Sequence, residues 1–137
     1  MTIRLAACLF LLAVFPTTTL WARTHHTATQ DPSDPGYVFA LAAADHFLHS
    51  WQTGDLENGM VQLSDGIRRS QNAETLEKFF SDSKDRSFEI ARGHGYPGRY
   101  SFPVVLHASR GSRVTHRSSQ MTLLDTGKND WVVDRLP

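Results

Sequence analysis

The stretch Asp34-Pro35-Gly36-Tyr37-Val38-Phe39-Ala40-Leu41-Ala42-Ala43-Ala44-Asp45-His46-Phe47-Leu48-His49-Ser50-Trp51-Gln52-Thr53-Gly54-Asp55 decides how the rest of the chain must fold. Asp34 can accept a hydrogen bond from a first-turn amide, and Pro35 fits a first helical turn, where its missing N–H is not needed. Tyr37, Ala40, Leu41, Ala44, Phe47, Leu48 and Trp51 recur at three- and four-residue spacing, which at 100° per residue makes one apolar stripe. Gly54 is placed to end this helix and Asp55 to cap the next. A helix with one greasy face needs a second layer to cover it.

Downstream, residues 55–65 read as a shorter helix with Leu56, Met60 and Leu63 inward. Gly59 weakens it by about 1 kcal/mol relative to alanine, so packing must hold it in place. Residues 67–70 fit neither period. Residues 73–81 form a third helix, with Leu76, Phe79 and Phe80 apolar and Glu74 and Lys78 spaced for an i,i+4 ion pair. After Asp85 the period changes to two. A strand begins at Phe88, and residues 93–98 make a loop rich in turn formers. Tyr100, Phe102, Val104 and Leu106 then alternate with Ser101, Pro103, Val105 and His107. Pro103 cannot donate to a ladder, so an edge segment or a bulge is expected there. Residues 113–124 and 131–136 supply two more strands, separated by the turn around Gly127. Helices first and hairpin-linked strands afterwards predict an α+β domain with about three helices on one face of an antiparallel sheet of four or more strands.

Upstream, residues 23–33 hold no large apolar residue and read as a flexible tether. Residues 1–22 read as a secretory signal peptide. Arg4 is its positive region, residues 5–15 its apolar core, and Ala22 its cleavage position. Eleven apolar residues are too few to cross ~30 Å of hydrocarbon, so no membrane association is expected after cleavage. Leu5-Ala6-Ala7-Cys8 imitates a lipidation box, but most of the apolar core follows the cysteine, which argues against lipidation. Residues 34–137 then make a single exported domain, periplasmic or secreted. If the cut follows Ala22, Arg23-Thr24-His25 would present an amine, two amides and an imidazole, a square-planar Cu(II) set. An unselected tether that happens to carry histidines accounts for it as well, and no metal or cofactor is expected.

Composition narrows the function classes. Lys plus Arg is 14 and Asp plus Glu is 14, for a formal net charge of zero. No basic excess exists to neutralise a phosphate backbone, so nucleic-acid binding is not expected. Cys8 is the sole cysteine, which excludes a disulfide framework and a zinc–thiolate cluster. Neither a P-loop nor a dinucleotide-binding glycine pattern is present.

Phe47-Leu48-His49-Ser50-Trp51-Gln52-Thr53-Gly54-Asp55, a short helix, and strands closing with Gly127-Lys128-Asn129-Asp130-Trp131-Val132-Val133 together resemble the nuclear transport factor 2-like superfamily, over about residues 36–136. The resemblance implies a long helix wrapped by a strongly curved sheet, a cone with a pocket at its open end. It implies more strands than the four that are plain here. Either residues 67–70 supply a short one or the cone is incomplete. Members of the superfamily include carriers, dimerisation modules and acid–base enzymes of isomerase, dehydratase and cyclase type, so function must come from the site.

If Tyr100, Phe102, Val104 and Leu106 face the cavity, His107 lies on the outer face. On the next strand the greasier set is Thr115, Arg117, Ser119, Met121 and Leu123, which puts Arg117 at the wetter end of the pocket. Tyr100, Phe102, Arg117, Met121 and Trp131 are the candidate ligand-binding residues. His46 and His49 fall opposite the apolar stripe, with Asp45, as a solvated face. The resulting expectation is an exported binding or interaction module for a small apolar ligand. On family analogy, the exposed sheet face pairs two copies into a homodimer. The alternative is a cofactor-free acid–base enzyme, which needs a buried titratable side chain with a partner inside the cone. A third reading, an assembly factor without a ligand, would show a filled cone and an apolar outer patch.

Overall fold

A computed structural model describes residues 34–81 and 85–137; the signal peptide, the tether and the copper motif read from residues 1–33 lie outside them. Among the described residues four helices, α1 (Pro35–Thr53), α2 (Leu56–Val61), α3 (Asp65–Ser70) and α4 (Ala73–Ser81), precede five strands. These are β1 (Asp85–Ile90), β2 (His94–Tyr96), β3 (Arg99–Arg110), β4 (Arg113–Asp125) and β5 (Trp131–Arg135). All strand pairs within the sheet are antiparallel, in the order β1-β3-β4-β5, with β2 beside β3 beyond the end of β1. The α+β class is as the sequence predicts. Among the described residues, no helix is long and apolar enough to cross a membrane.

The caps of α1 are the ones its sequence announces. Asp34 Oδ1 accepts from the Gly36 amide at 3.0 Å, and Gly54 closes the helix in the left-handed region at φ 73°. Tyr37, Ala40, Ala44, Phe47, Leu48 and Trp51 are buried, and α1 lies across β1, β3, β4 and β5. On β3 the inward set Tyr100, Phe102, Val104 and Leu106 is buried, alternating with half-buried neighbours. Met121 and Leu123 of β4 and Trp131 and Val133 of β5 complete this core.

Several expectations need correction. Residues 67–70 are helical: Ser64 caps α3 by accepting from the Ile67 amide at 3.2 Å. The strand-like addition comes instead from Leu63, which bridges Val133 in parallel through Ser64 N to Val133 O and Val133 N to Gln62 O, both 2.8 Å. This ends α2 at Val61, short of the predicted Asp65, and gives the β5 edge a partner. Within the predicted loop at 93–98, residues 94–96 pair as β2 with Arg99–Ser101. Pro103 sits inside β3 in unbroken register with Gln120, without a bulge. Its carbonyl accepts from the Ala91 amide at 2.9 Å, so its nitrogen faces the break between β1 and β2, a locally unpaired edge. The register shift falls at Thr122/Leu123 against β5. Finally, Glu74 and Lys78 form no ion pair; Lys78 turns to a cavity described below.

Candidate functional site

Parity places the site. In the β3–β4 ladder, Phe102 opposes Met121, Val104 opposes Ser119, Leu106 opposes Arg117, Ala108 opposes Thr115, and Arg110 opposes Arg113. All five pairs share the face turned toward the helices, because side chains alternate strictly along unbroken strands. The face therefore changes character along its length, from buried aromatic and aliphatic side chains to exposed cationic ones near the hairpin tip.

Where the face becomes wet, a cavity of about 570 Å³ opens between the outer half of the hairpin and α4. Its apolar side is Trp51, Phe79, Leu106 and Ala108. The rings of Phe47 and Trp51 lie 6.3 and 6.2 Å from Phe79, so this wall is continuous with the core. Lys78, Arg86, Arg110, Arg113 and Arg117 supply its charge. Among the described residues that line it there is neither a carboxylate nor an imidazole.

Arg86 builds the floor. It is only 8% exposed, and its Nη1 donates to the Trp51 and Phe80 carbonyls, each at 2.6 Å. These carbonyls belong to the last turns of α1 and α4, so one guanidinium ties two helix C-termini, where positive charge is favourable. It also lies 5.0 Å over the Trp51 ring. Gln52 Nε2 donates to the Arg86 carbonyl at 2.9 Å, fixing β1 against the end of α1.

The five candidate residues separate into two places. Tyr100, Phe102 and Met121 are fully buried and Trp131 nearly so, all within the packed core. Tyr100 stands 5.6 Å from Tyr37 and 5.5 Å from Trp131, ring to ring. Its hydroxyl donates to Asp34 Oδ2, and burial, reinforced by the Asp34 hydrogen bond and charge, pushes it up to about 12. Trp131 Nε1 is buried without a hydrogen-bond partner among the described residues. Arg117 alone of the five lines the cavity, opposite Leu106, and its Nη2 donates to the Pro137 carbonyl.

Sequence reading missed Arg86, Arg110, Arg113 and Lys78. The signal was present in the parity: Arg86 shares a face with Phe88 and Ile90, and extending the inward sets of β3 and β4 to the tip reaches Arg110 and Arg113.

The described histidines lie elsewhere. His46 and His49 are exposed, with His49 Nδ1 3.7 Å from Asp45 Oδ2. On the outer face His107 Nδ1 and His116 Nδ1 approach to 2.5 Å, and His107 Nε2 lies 3.3 Å from Glu89 Oε1. His107 also borders a second depression with Asp85, Ser87 and Val114, but its polar contacts go to His116 and Glu89, not to Asp85.

A long capped helix laid across an antiparallel sheet, with short helices closing one end, is the nuclear transport factor 2-like fold. Solved structures bear this out. The chain is similar to a structure described as "Rd1NTF2_04 with long sheet" (TM-score 0.55, 16% identity, covering 69% of this chain and 94% of that one). It is also similar to RV0760c from Mycobacterium tuberculosis (TM-score 0.51, 14% identity, 69% and 85% covered). A computationally designed 17-OHP binder matches too (TM-score 0.50, 14% identity, 69% and 86% covered). No family model matches the chain, and no curated protein does.

Proposed function

We propose that this chain is an exported binding module that holds a small ligand in the cavity between α4 and the outer half of the β3–β4 hairpin. The cavity itself carries the reading: about 570 Å³ lies inside the range of ~300–1,000 Å³ typical of ligand sites. It joins an apolar wall to a few convergent polar groups. That one neighbour of this fold is a designed small-molecule binder is compatible with the same use. The enzyme alternative finds less support, because the groups turned into the cavity are cations, hydroxyls and apolar side chains, with no acid–base dyad among the described residues. Export rests on the apolar core at residues 5–15 and the cleavage position at Ala22. Pairing of two copies rests on family analogy and on the outer face, where Ser101, Val105, Ser118 and Gln120 offer mostly polar, uncharged side chains.

Fluorescence of 8-anilinonaphthalene-1-sulfonate with the purified protein tests the cavity. The probe should bind, and Ala108→Trp, which fills the space between hairpin and α4, should abolish binding while circular dichroism stays unchanged. Binding that is indifferent to Ala108→Trp would overturn the reading. For export, mass spectrometry of the chain recovered from the periplasm or medium of the producing cell should find Arg23 at its N-terminus; retention of Met1 would refute it.

A further inference from the structure

We infer that the ligand is a small amphipathic anion, an apolar body carrying one carboxylate, sulfonate or phosphate; this rests on the cavity reading above and gives it a chemistry. The first observation is the order of groups along one face. Moving outward on β3, Leu106 gives way to Ala108 and then Arg110. Moving inward on β4, Arg113 is followed by Thr115 and then Arg117, which stands opposite Leu106. A ligand whose body rests on Trp51, Phe79 and Leu106 thus has Arg117 beside it and Arg110 and Arg113 toward the tip. A neutral apolar ligand would leave Arg113 without an anionic partner, and a bare inorganic anion would leave the aromatic wall unused.

The second observation is a like-charge pairing in the ladder. Arg110 and Arg113 are directly cross-strand partners on the inward face. Like charges directly opposite on a ladder destabilise it. An anion beside Arg113 offsets that repulsion with a charge-assisted attraction, and a guanidinium presents a planar fork matched to carboxylate or phosphate oxygens. Arg113 has no carboxylate within ion-pair distance among the described residues, and Arg117 spends one of its five donors on Pro137. Thr115 is not a competing donor, since its hydroxyl donates to the Ala108 carbonyl at 3.1 Å. Nor is Lys78 held by its helix neighbour Glu74, so an ammonium faces the same space from α4 beside the guanidinia.

Two probes of nearly one shape separate the possibilities: 8-anilinonaphthalene-1-sulfonate and its uncharged analogue N-phenyl-1-naphthylamine. The anionic probe should bind at least about tenfold more tightly, as expected when a charge-assisted hydrogen bond is gained. Arg113→Gln and Arg117→Gln should each weaken the anionic probe by about tenfold and leave the neutral one unchanged, with Arg113→Lys restoring part of the loss. Both variants alter exposed side chains, and their circular dichroism should match the parent. Equal binding of the two probes, with both lost in Ala108→Trp, would overturn the anionic chemistry and leave the cavity reading standing. Indifference of both probes to Ala108→Trp would remove the cavity reading itself. Inorganic phosphate competing as strongly as the aromatic sulfonate would also overturn the inference, since the apolar wall would then contribute nothing.

Discussion

Helix propensity argues against Gly59, and packing argues for it. Glycine in a helix interior costs about 1 kcal/mol relative to alanine. Yet a Cβ at this position would overlap the far edge of the Phe80 ring, 2.1 Å from its Cζ and 2.2 Å from its Cε1. Phe80 is itself buried in the aromatic cluster with Phe47 and Phe79, so it has little room to yield. Overpacking costs ~1–3 kcal/mol. Gly59→Ala should therefore destabilise the domain by about 1 kcal/mol net, read by urea unfolding, despite the better propensity; a gain in stability would mean the ring can move away. Tyr100 gives a second residue-level prediction. Its hydroxyl is neutral in the folded protein until about 12, whereas an unfolded chain loses that proton near 10. Between those values the unfolded state holds fewer protons than the folded one, so stability falls as pH rises through the window. Tyr100→Phe should flatten that alkaline decline in a pH series of denaturation midpoints.

At the scale of elements, Arg86 connects what the hydrophobic pattern alone leaves separate. The ends of α1 and α4 each expose last-turn carbonyls, and a single buried guanidinium satisfies Trp51 O and Phe80 O together. Arg86→Ala should cost about 3 kcal/mol in denaturant unfolding, because two charge-assisted bonds vanish and buried carbonyls lose their donor. Arg86→Lys should recover only part of this, since an ammonium lacks the fork and the stacking on Trp51. Legibility of the elements follows the same division between local and distant causes. Helix α1 was readable to within a residue because Asp34, Pro35 and Gly54 act locally on its ends. The inward faces of β3 and β4 were readable because their pairing has no shift. Helix α3 was not, since Asp65-Gly66-Ile67-Arg68-Arg69-Ser70 carries one apolar side chain, and its cap lies in Ser64. Nor was the bridge at Leu63, which exists only because β5 arrives from seventy residues away.

For the whole molecule, a formal net charge of zero concealed the feature that distinguishes the site. Composition sums over all surfaces, whereas the fold gathers Lys78, Arg86, Arg110, Arg113 and Arg117 around one cavity from α4, β1 and the hairpin. Of the five candidate side chains, the aromatic ones and Met121 are large and inward, and such side chains fill cores. Arg117 is legible because a polar side chain on an inward face needs access to water, and that argument extends to Arg110 and Arg113. Concentrating like charge has a consequence for stability that can be measured without any ligand. Arg113→Thr removes the repulsion with Arg110 and places a β-favouring residue on the strand, so it should stabilise the unliganded protein by about 0.5 kcal/mol. The gain should shrink in molar salt, where the Debye length falls to about 3 Å and the arginines no longer sense one another. The same variant should bind 8-anilinonaphthalene-1-sulfonate more weakly. Opposite signs for stability and affinity are what a site that holds its charges ready for an anion requires. A variant that lost both stability and affinity would instead show that Arg113 holds the hairpin together.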